Sequence, residues 1–377
     1  MSRRLDTRSD PTPCTLQTFT KPYCPSRSPI RTLSMKDTLT DANFPKTDDQ
    51  RVYHLGVRPG EVANRIITVG TPSRANIIAS HLDAQPKLFV LSSERQFMTI
   101  TGRYKGVPIS IVSIGMGSAN MDFFVREIRE TVSGDLMIIR LGSCGSLMDV
   151  PPGTIVVPKA SVSISRNVDF DFVNPENNDE PAYHISKPVS ADEQLYEEIR
   201  KALETAKPPT SHSTIVTGTV NASADSFYSS QGRQTSFPDH NEHLIEYLES
   251  KVENLGTLEM ESFHLMHLAA CWTGRTVTKG KKDATPLTTG PVKPIIAPTS
   301  SVTQQTLTAP LVLPNTVIRA AAIHMVFASR KSRDFITPQQ VEEIERWTGE
   351  GALNALINIE IRKDRMHMDK GSVWEIV

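Results

Sequence analysis

Residues 135–145 read DLMIIRLGSCG, and the interpretation of the rest of the chain depends on this stretch. Leu136 to Ile139 is an apolar run typical of a buried parallel strand. Arg140 stands at the predicted end of that strand, where a buried guanidinium needs a partner. Gly142 to Gly145 are small and predict a tight turn with exposed backbone N–H groups. A planar cation beside such a turn suits an oxyanion, phosphate first; the alternative is an arginine paired with a neighbouring carboxylate.

Two other predicted strands end in glycine in the same way. Arg65 to Gly70 (RIITVG) leads into a helix with Thr71 as its N-cap, Pro72 in its first turn and Arg74 just beyond. Val107 to Ile114 ends in GMG at positions 115–117. Ligands of open α/β sheets bind outside the carboxyl ends of the strands, so we expect these glycine turns to line one anion site. For Arg74 the alternative is an ordinary surface charge on a helix.

The composition indicates a globular protein without a preference for polyanions. Of 377 residues, 38% are hydrophobic and 22% charged, and 41 basic against 42 acidic residues give a formal net charge of -1. This balance offers no electrostatic reason to expect nucleic acid or a membrane surface as a partner. No apolar run approaches the roughly 18 residues of a spanning helix. The 4 cysteines show neither metal-ligand spacing nor a disulfide pattern, so we expect no metal, a reducing compartment and a cytoplasmic location.

Two regions have compositions that differ from the rest. Residues 1–50 are rich in Ser, Thr, Pro and Arg and predict a disordered N-terminal tail. The arginines of this tail also fit an organellar targeting peptide, against which Asp6, Asp10 and the prolines argue. Residues 273–315 are rich in Thr, Pro and Lys and predict a low-complexity insertion, tolerable because closing the longer loop costs only roughly 2 kcal/mol. The predicted domain therefore spans residues 51–362, followed by a C-terminal extension at 363–377.

Within the predicted domain, strands and helices alternate, which indicates an α/β fold. Short separate strands are expected at 154–158 and 162–165, and a strand at 212–219 leads into a polar loop. A late buried strand at 317–328 and an amphipathic helix at 338–356 complete the pattern.

The polar loop at residues 221–233 reads NASADSFYSSQGR and is a candidate ligand-binding segment. Phe227 offers a stacking face, Gln231 both a donor and an acceptor, and Arg233 several donors. These side chains together suit a planar, polar ligand. The alternative is an ordinary surface loop with Phe227 packed into the core.

Two carboxylates flank Met260 at the predicted entrance of an apolar helix. Glu259 and Glu261 are two positions apart, so they cannot share one helical face. We therefore expect different roles, in which one carboxylate caps the helix or is paired and the other faces a ligand. The alternative is a solvated acidic first turn, because acidic residues favour helix N-termini.

With these segments in order, the chain resembles the nucleoside phosphorylase-I family, and within it most closely the uridine phosphorylase branch. The matching motifs are VYHLG (52–56), VGTPSR (69–74), SSERQF (92–97), IRLGSCG (139–145), SADSFYSSQGR (223–233), EMES (259–262) and the late strand ending at Arg330. Each motif is weak alone, and their common order makes the resemblance specific. It covers about residues 52–359 apart from the insertion, and it implies a three-layer sandwich: a single α/β domain whose central mixed, twisted sheet is flanked by helices.

The resemblance implies an enzyme that cleaves uridine with phosphate to give uracil and ribose 1-phosphate, in pyrimidine salvage and catabolism. The partners would be uridine, inorganic phosphate and further copies of the chain, in a dimer or a hexamer. No cofactor is expected, because phosphate is a co-substrate. The alternatives are a purine nucleoside phosphorylase, a nucleosidase that uses water, and a non-catalytic nucleoside-binding protein.

Carried over residue by residue, the resemblance implies three groups of binding residues. The phosphate group is Gly70, Arg74, Arg140 and Ser143, with Arg95 from a neighbouring subunit. The ribose group is Met260 and Glu261, with His54 from a neighbouring subunit. The uracil group is Phe227, Gln231, Arg233 and Arg330. The residues expected to act in catalysis are Arg74, Arg140, Arg233 and Glu261.

Four positions can be compared with the pattern of the family, and the first bears on the substrate. Purine-cleaving members tend to carry an aspartate just after the late strand, where this chain has Ser329; this favours uridine. Bacterial members place a glutamate where this chain has Gln96, so a monovalent cation between subunits is in doubt. Ser143 stands where the family usually has threonine, and Cys144 is expected to be a small packed residue rather than a nucleophile.

Overall fold

One large sheet forms the centre of the computed structural model, which describes residues 38–272 and 315–376. Its 11 strands, in chain order, are β1 (Arg65–Val69), β2 (Phe89–Ser92), β3 (Met98–Tyr104), β4 (Val107–Ser113), β5 (Leu136–Ser146), β6 (Ile155–Arg166), β7 (Tyr183–Ile185), β8 (Val189–Ser190), β9 (Ile215–Ala224), β10 (Leu255–Glu259) and β11 (Ile318–Ser329). The helices are α1 (Pro72–Ala79), α2 (Ser118–Thr131), α3 (Glu193–Ala206), α4 (Leu244–Lys251), α5 (Ser262–Cys271) and α6 (Pro338–Asn358).

The sheet is mixed and partly closed. Its order is β10-β9-β6-β11-β5-β1-β4-β3-β2, while β7 and β8 pair with β6. Because β10 also pairs with β5, the strands β5, β11, β6, β9 and β10 close into a ring. Strands β1, β4, β5 and β11 run parallel, whereas β3 is antiparallel to β4 and β6 to β11. The carboxyl ends of the parallel strands therefore meet at one edge.

Helices cover both faces of this sheet because side chains alternate along the central strands. Ile67 of β1 and Ile139 of β5 pack in one apolar cluster with α1, α3 and α6. Their neighbours Ile66 and Ile138 pack in a second cluster with α2 and α5. The predicted α/β fold class, with a central mixed sheet flanked by helices, is confirmed.

The predicted turn at residues 142–145 is wrong, because β5 continues to Ser146. Its second half pairs with β11, with Gly142 opposite His324, and with β10, with Gly145 opposite Leu258. A Cβ at Gly142 would lie 3.4 Å from Arg140 Nε, so the guanidinium packs directly against this glycine.

Two further strand boundaries differ from the expectation. A single strand, β6, replaces the two expected at 154–158 and 162–165. It passes through Pro158 because register shifts on both sides absorb the missing backbone donor. Strand β9 runs on to Ala224, so the polar loop begins at residue 225 rather than at 221. Asn221 belongs to the strand, where it pairs with Ser161 of β6 and Thr257 of β10, and its amide donates to the buried Glu259 carboxylate.

The two ends of the described chain are both structured. Residues 38–50, predicted as disordered tail, include bridges between Leu39 and Thr47 and between Lys46 and Val52, so the predicted boundary at residue 50 is wrong for this part. In the C-terminal extension Trp374 is buried, and its carbonyl accepts from Arg103 Nε at 2.9 Å. Residues 1–37 of the tail and 273–314 of the insertion lie outside the described residues. None of the helices in the described ranges is long and apolar enough to cross a membrane.

Candidate active site

A cavity of about 230 Å³ lies where the strands β1, β5, β10 and β11 and the loop after β9 converge. Most of the predicted binding residues line it, namely Gly70, Arg74, Arg140, Ser143, Phe227, Gln231, Arg233, Met260 and Glu261. We call Gly70, Arg74, Arg140 and Ser143 the anion end, and Phe227, Gln231 and Arg233 the base end. A larger groove of about 1040 Å³ beside α3 and α4 contains none of the predicted residues.

Arg140 lies at the centre of the anion end and is only 3% exposed. Its Nη2 donates to Glu261 Oε2 at 2.9 Å. Its Nε and Nη1 atoms are buried and have no hydrogen-bond partner among the described residues. Because Arg140 lines the cavity, these two donors are available to an anion bound there. Arg140 therefore has a carboxylate partner and, in addition, donors suited to an oxyanion.

Arg74 is 4% exposed, so its interpretation as a surface charge is wrong. It lies in the first turn of α1, where the Thr71 hydroxyl caps the helix by accepting from its backbone N–H at 3.4 Å. Its Nε donates to Glu345 Oε1 at 2.7 Å and its Nη1 to the Leu141 carbonyl at 3.3 Å. Burial lowers the pKa of Arg74, and the Glu345 carboxylate opposes that shift.

The two carboxylates beside Met260 have different roles, as expected. Glu259 accepts from the backbone N–H groups of Glu261 at 2.8 Å and Ser262 at 2.9 Å, so it holds the start of α5. Glu261 faces the cavity, where it accepts from the backbone N–H of Gly117 at 2.6 Å as well as from Arg140. Burial raises the pKa of Glu261, while the nearby Arg140 guanidinium lowers it.

A buried histidine supports this arrangement and was not among the predicted site residues. His324 of β11 bonds through Nε2 to the Ser262 hydroxyl at 2.8 Å and through Nδ1 to the Thr257 hydroxyl at 3.2 Å. Burial lowers its pKa to about 3, and the charge of Arg140 acts in the same direction. The sequence signal was a lone histidine within the apolar strand VIRAAAIHMVFA. Its polar bonds fix the α5 residue that follows Glu261.

The base end is formed by the loop after β9. Phe227 is 46% exposed, so its placement in the core is excluded. Arg233 Nη1 donates to the Phe227 carbonyl at 2.8 Å and to Gln231 Oε1 at 2.5 Å, and its guanidinium carbon lies 3.8 Å from the centroid of the Phe227 ring. Burial and then the charge of Arg330 lower the pKa of Arg233 to about 10. A stacking face and a set of donors are thus held together.

Arg330 was predicted to contact uracil, but it does not line the cavity. Its Nη1 donates to the Gln231 carbonyl at 2.9 Å and its Nη2 to the Gly232 carbonyl at 3.2 Å. Gly232 has a φ of +62°, and those carbonyl contacts hold its turn. In this geometry Arg330 stabilises the loop of the base end without lining the cavity.

His54 and Arg95 also lie outside the cavity, close to each other. Arg95 Nη2 donates to the Tyr53 hydroxyl at 2.6 Å. His54 Nδ1 lies 2.6 Å from Glu127 Oε1, and its ring stacks on Phe123 at 3.8 Å between centroids. Neither residue lines the cavity of its own chain, so their roles in a neighbouring subunit stay predictions.

Apolar residues complete the cavity and were not predicted from the sequence: Met116, Leu258, Phe327 and Phe335. They carry no motif, and only the fold brings them together. Cys144 also lines the cavity, and burial raises the pKa of its thiol well above the usual range, which suits a packed residue rather than a nucleophile. The described residues contain no group of three or more His, Cys, Asp or Glu side chains placed to hold a metal ion.

Comparison with known proteins matches residues 64–273 to the phosphorylase superfamily. A uridine phosphorylase from Thermococcus kodakarensis is 29% identical over 240 residues, which cover 62% of this chain and 78% of that protein. A DeoD-type purine nucleoside phosphorylase from Streptococcus suis is 32% identical over 145 residues, which cover 36% of this chain and 60% of that protein.

Two solved structures have a similar fold. One comes from a study of two uridine phosphorylases of the oomycete Phytophthora capsici; it is 33% identical with a TM-score of 0.68, over 84% of this chain and 98% of that one. The other is a nucleoside phosphorylase of Trypanosoma brucei that shows uridine phosphorylase activity; it is 19% identical with a TM-score of 0.60, over 84% of this chain and 100% of that one. The second likeness concerns the fold alone.

Proposed function

The chain belongs to the phosphorylase superfamily, and on that premise we propose that it cleaves uridine by phosphorolysis to uracil and ribose 1-phosphate. The observation that carries the proposal is the pair of buried, unpartnered donors of Arg140, Nε and Nη1, in a cavity that Arg74 also lines. Two buried guanidinium groups at one end of a cavity suit a phosphate dianion. At the other end, Arg233 and Gln231 present donors beside an aromatic ring, which suits a pyrimidine with two carbonyl groups.

The anion end would bind phosphate and aim one of its oxygens at C1′ of the ribose. Holding two reactants in line supplies a large part of the rate enhancement, because the encounter becomes effectively unimolecular. As the glycosidic bond stretches, C1′ becomes cationic, and the dianion stabilises that charge. The bond from phosphate oxygen to C1′ forms while the bond from C1′ to uracil N1 breaks.

The carboxylate of Glu261 and the base end would act on the other two parts of the nucleoside. Glu261 faces the cavity beside Arg140, where its oxygens can accept from the ribose hydroxyls. Negative charge grows on the departing uracil, and the donors of Arg233 and Gln231 would stabilise it. No general acid is needed for a purine nitrogen, in line with Ser329 at the end of β11.

A purine nucleoside phosphorylase is the second candidate, because the Streptococcus suis relative is 32% identical over its matched part. That match covers 36% of this chain, against 62% for the relative from Thermococcus kodakarensis and 84% for the oomycete structure. A nucleosidase is favoured less, since hydrolysis by water does not require two buried arginines at one end of the cavity.

The decisive experiment measures uracil release from uridine by the purified full chain with and without inorganic phosphate. We expect release only with phosphate, together with ribose 1-phosphate in equal amount. Inosine, thymidine and 2′-deoxyuridine in parallel assays define the substrate range. Release without phosphate would indicate a nucleosidase, faster cleavage of inosine a purine enzyme, and uridine binding without turnover a non-catalytic homologue.

We also propose that the active enzyme is a homo-oligomer in which His54 and Arg95 serve the cavity of a neighbouring copy. Both residues lie together and away from the cavity of their own chain, which supports this assignment. Mixing inactive Arg95→Ala and Arg140→Gln chains tests it. Hybrid assemblies would regain activity, because some cavities would then combine an intact Arg140 with an intact neighbouring Arg95. The cytoplasmic location stays a prediction.

A further inference from the structure

Arg74 has a carboxylate partner that lies outside the cavity. Its Nε donates to Glu345 Oε1 at 2.7 Å, and both side chains are buried. Glu345 belongs to α6, 271 residues further along the chain, and does not line the cavity. A buried carboxylate that touches a cavity arginine without reaching the cavity itself can act on a ligand only through that arginine.

Helix packing, rather than the cavity, sets the place of Glu345. Gly349 of α6 lies so close to α1 that a Cβ there would be 2.8 Å from Cγ1 of Ile78. Gly349 follows Glu345 by one helical turn, and Ile78 follows Arg74 by one turn. Residues four apart lie on the same helical face, so the ion pair and the glycine contact form two successive steps of one helix–helix interface. The close approach at Gly349 therefore brings the carboxylate to Arg74.

Two bonds from different elements fix the Arg74 guanidinium. Glu345 binds its Nε, and the Leu141 carbonyl of β5 accepts from Nη1 at 3.3 Å. The ring of Phe327 lies 5.6 Å from the guanidinium carbon. Neither bond uses Nη2, whose donors remain for a ligand in the cavity that Arg74 lines. An arginine has four rotatable side-chain bonds, so anchoring Nε decides where Nη2 points.

The charges of the two cavity arginines are balanced in different places. Burial lowers the pKa of Arg74, the Arg140 guanidinium acts in the same direction, and Glu345 raises it. Arg140 is neutralised by Glu261, which itself lines the cavity. Glu345 instead approaches from outside and does not occupy ligand space. It can therefore hold Arg74 in its orientation before any anion arrives.

We propose that Glu345 is a positioning residue of the anion end: its Oε1 holds Arg74 Nε so that Nη2 of that arginine stays aimed at the phosphate. The inference rests on the proposed function, in which Arg74 binds phosphate, and extends it to a residue that touches no substrate. In this role the position of the acceptor oxygen matters more than its negative charge.

Two substitutions of Glu345 separate the effect of the oxygen's position from the effect of its charge. Glu345→Asp keeps the charge but withdraws the carboxylate by one methylene, whereas Glu345→Gln keeps an acceptor oxygen in place and removes the charge. We expect Glu345→Asp to raise the KM for phosphate about tenfold while the KM for uridine changes less than about twofold. Glu345→Gln should leave the phosphate KM within about threefold of the wild-type value. Glu342→Gln, on an exposed side chain of the same helix (68% exposed), is the matched control.

Calorimetric binding of inorganic phosphate to the same proteins gives a readout that does not need turnover. If the wild type binds phosphate but does not cleave uridine, the proposed function fails while the role of Glu345 is still decided by the affinities of the two variants. Equal loss of phosphate affinity in both variants would overturn the positioning role. So would a wild-type phosphate KM in Glu345→Asp, or a uridine KM that rises as much as the phosphate KM. Melting temperatures confirm that each variant is folded.

Discussion

At the anion end of the cavity both arginines come from secondary structure and are buried, whereas at the base end Arg233 and Phe227 come from a loop and reach the surface. Arg74 and Arg140 are 4% and 3% exposed, and Phe227 is 46% exposed. Each arginine of the anion end is bonded to a carboxylate of another element. Arg233 instead bonds to its own loop. The part that would bind the common co-substrate is therefore tied to the stability of the fold, while the part that would select the base is not.

This contrast has a physical cause. Phosphate carries the same charges whichever nucleoside is cleaved, so fixed, desolvated donors suit it. Ion pairs with buried carboxylates offset the desolvation cost of the two arginines. A base is recognised by a pattern of donors and acceptors that differs between nucleosides. A surface loop can change that pattern without creating buried charges. We therefore expect substitutions at the anion end to change both stability and activity, and substitutions at the base end to change activity alone.

The largest effect is expected for Arg140→Gln. Activity with uridine should fall about a thousandfold, because the donors for the anion are lost. The free energy of unfolding should fall by about 3–5 kcal/mol, because the buried Glu261 carboxylate loses its charged partner. The double variant with Glu261→Gln should regain most of that stability while staying inactive. Denaturant unfolding and steady-state kinetics measure the two effects; a double variant as unstable as the single one would contradict the ion-pair explanation.

Arg233→Ala should act on activity alone. Loss of charge-assisted bonds of about 1.5–3 kcal/mol to the departing uracil should lower kcat/KM for uridine roughly tenfold to a hundredfold. Stability should change by less than about 0.5 kcal/mol, since no buried charge is left unpaired. The exposed arginine of α3 in Arg200→Ala serves as a control that should change neither quantity. Near-normal uridine turnover in purified Arg233→Ala would remove Arg233 from the mechanism.

His324→Gln should flatten the dependence of stability on pH. In the native chain the pKa of His324 is lowered to about 3, whereas in the unfolded chain it is near 6.5. Below pH 6.5 the unfolded state therefore binds a proton that the native state refuses, and stability falls as the pH falls towards 3. Between pH 7.5 and 5.5 the loss from this residue is about 1.4 kcal/mol.

Urea unfolding at the two pH values measures this difference. The wild type should lose more stability than His324→Gln by that amount, and the exposed histidine in His184→Gln should behave as the wild type does. If stability depends on pH in the same way in the wild type and in His324→Gln, the pKa of His324 does not differ between the native and unfolded states as described.

Patterns within short stretches of sequence predicted the elements at both ends of the cavity. The features that were missed depend on contacts between stretches that lie far apart in the sequence. The strand, glycine and capped helix around Arg74 lie within ten residues, so their order alone indicated the geometry. The parallel strands brought Gly70 and Arg140 to the same edge, as expected from the rule for open sheets. Gly142 was misplaced in a turn because the strands that extend β5 through it, β10 and β11, come more than a hundred residues later.

The residues that support the site could not be identified because their roles depend on distant contacts. Glu345 carries no motif, and its partner lies 271 residues away. His324 stood out only as a polar residue in an apolar strand, and the sequence did not indicate which hydroxyl groups it would meet. The family resemblance implies that Arg330 contacts the base, whereas the structure directs its guanidinium to the carbonyls of Gln231 and Gly232.

The smallest effect, expected for Arg330→Ala, distinguishes a supporting role from direct contact with the base. Removing its two bonds to the loop carbonyls should loosen the turn at Gln231 and Gly232. Because the bonds from Arg233 to the Phe227 carbonyl and to Gln231 Oε1 remain, we expect the KM for uridine to rise only about threefold, with the phosphate KM unchanged. The adjacent exposed residue in Lys331→Ala is the control. A loss as large as that of Arg233→Ala would mean that Arg330 turns into the cavity and binds the base, as the family resemblance implies.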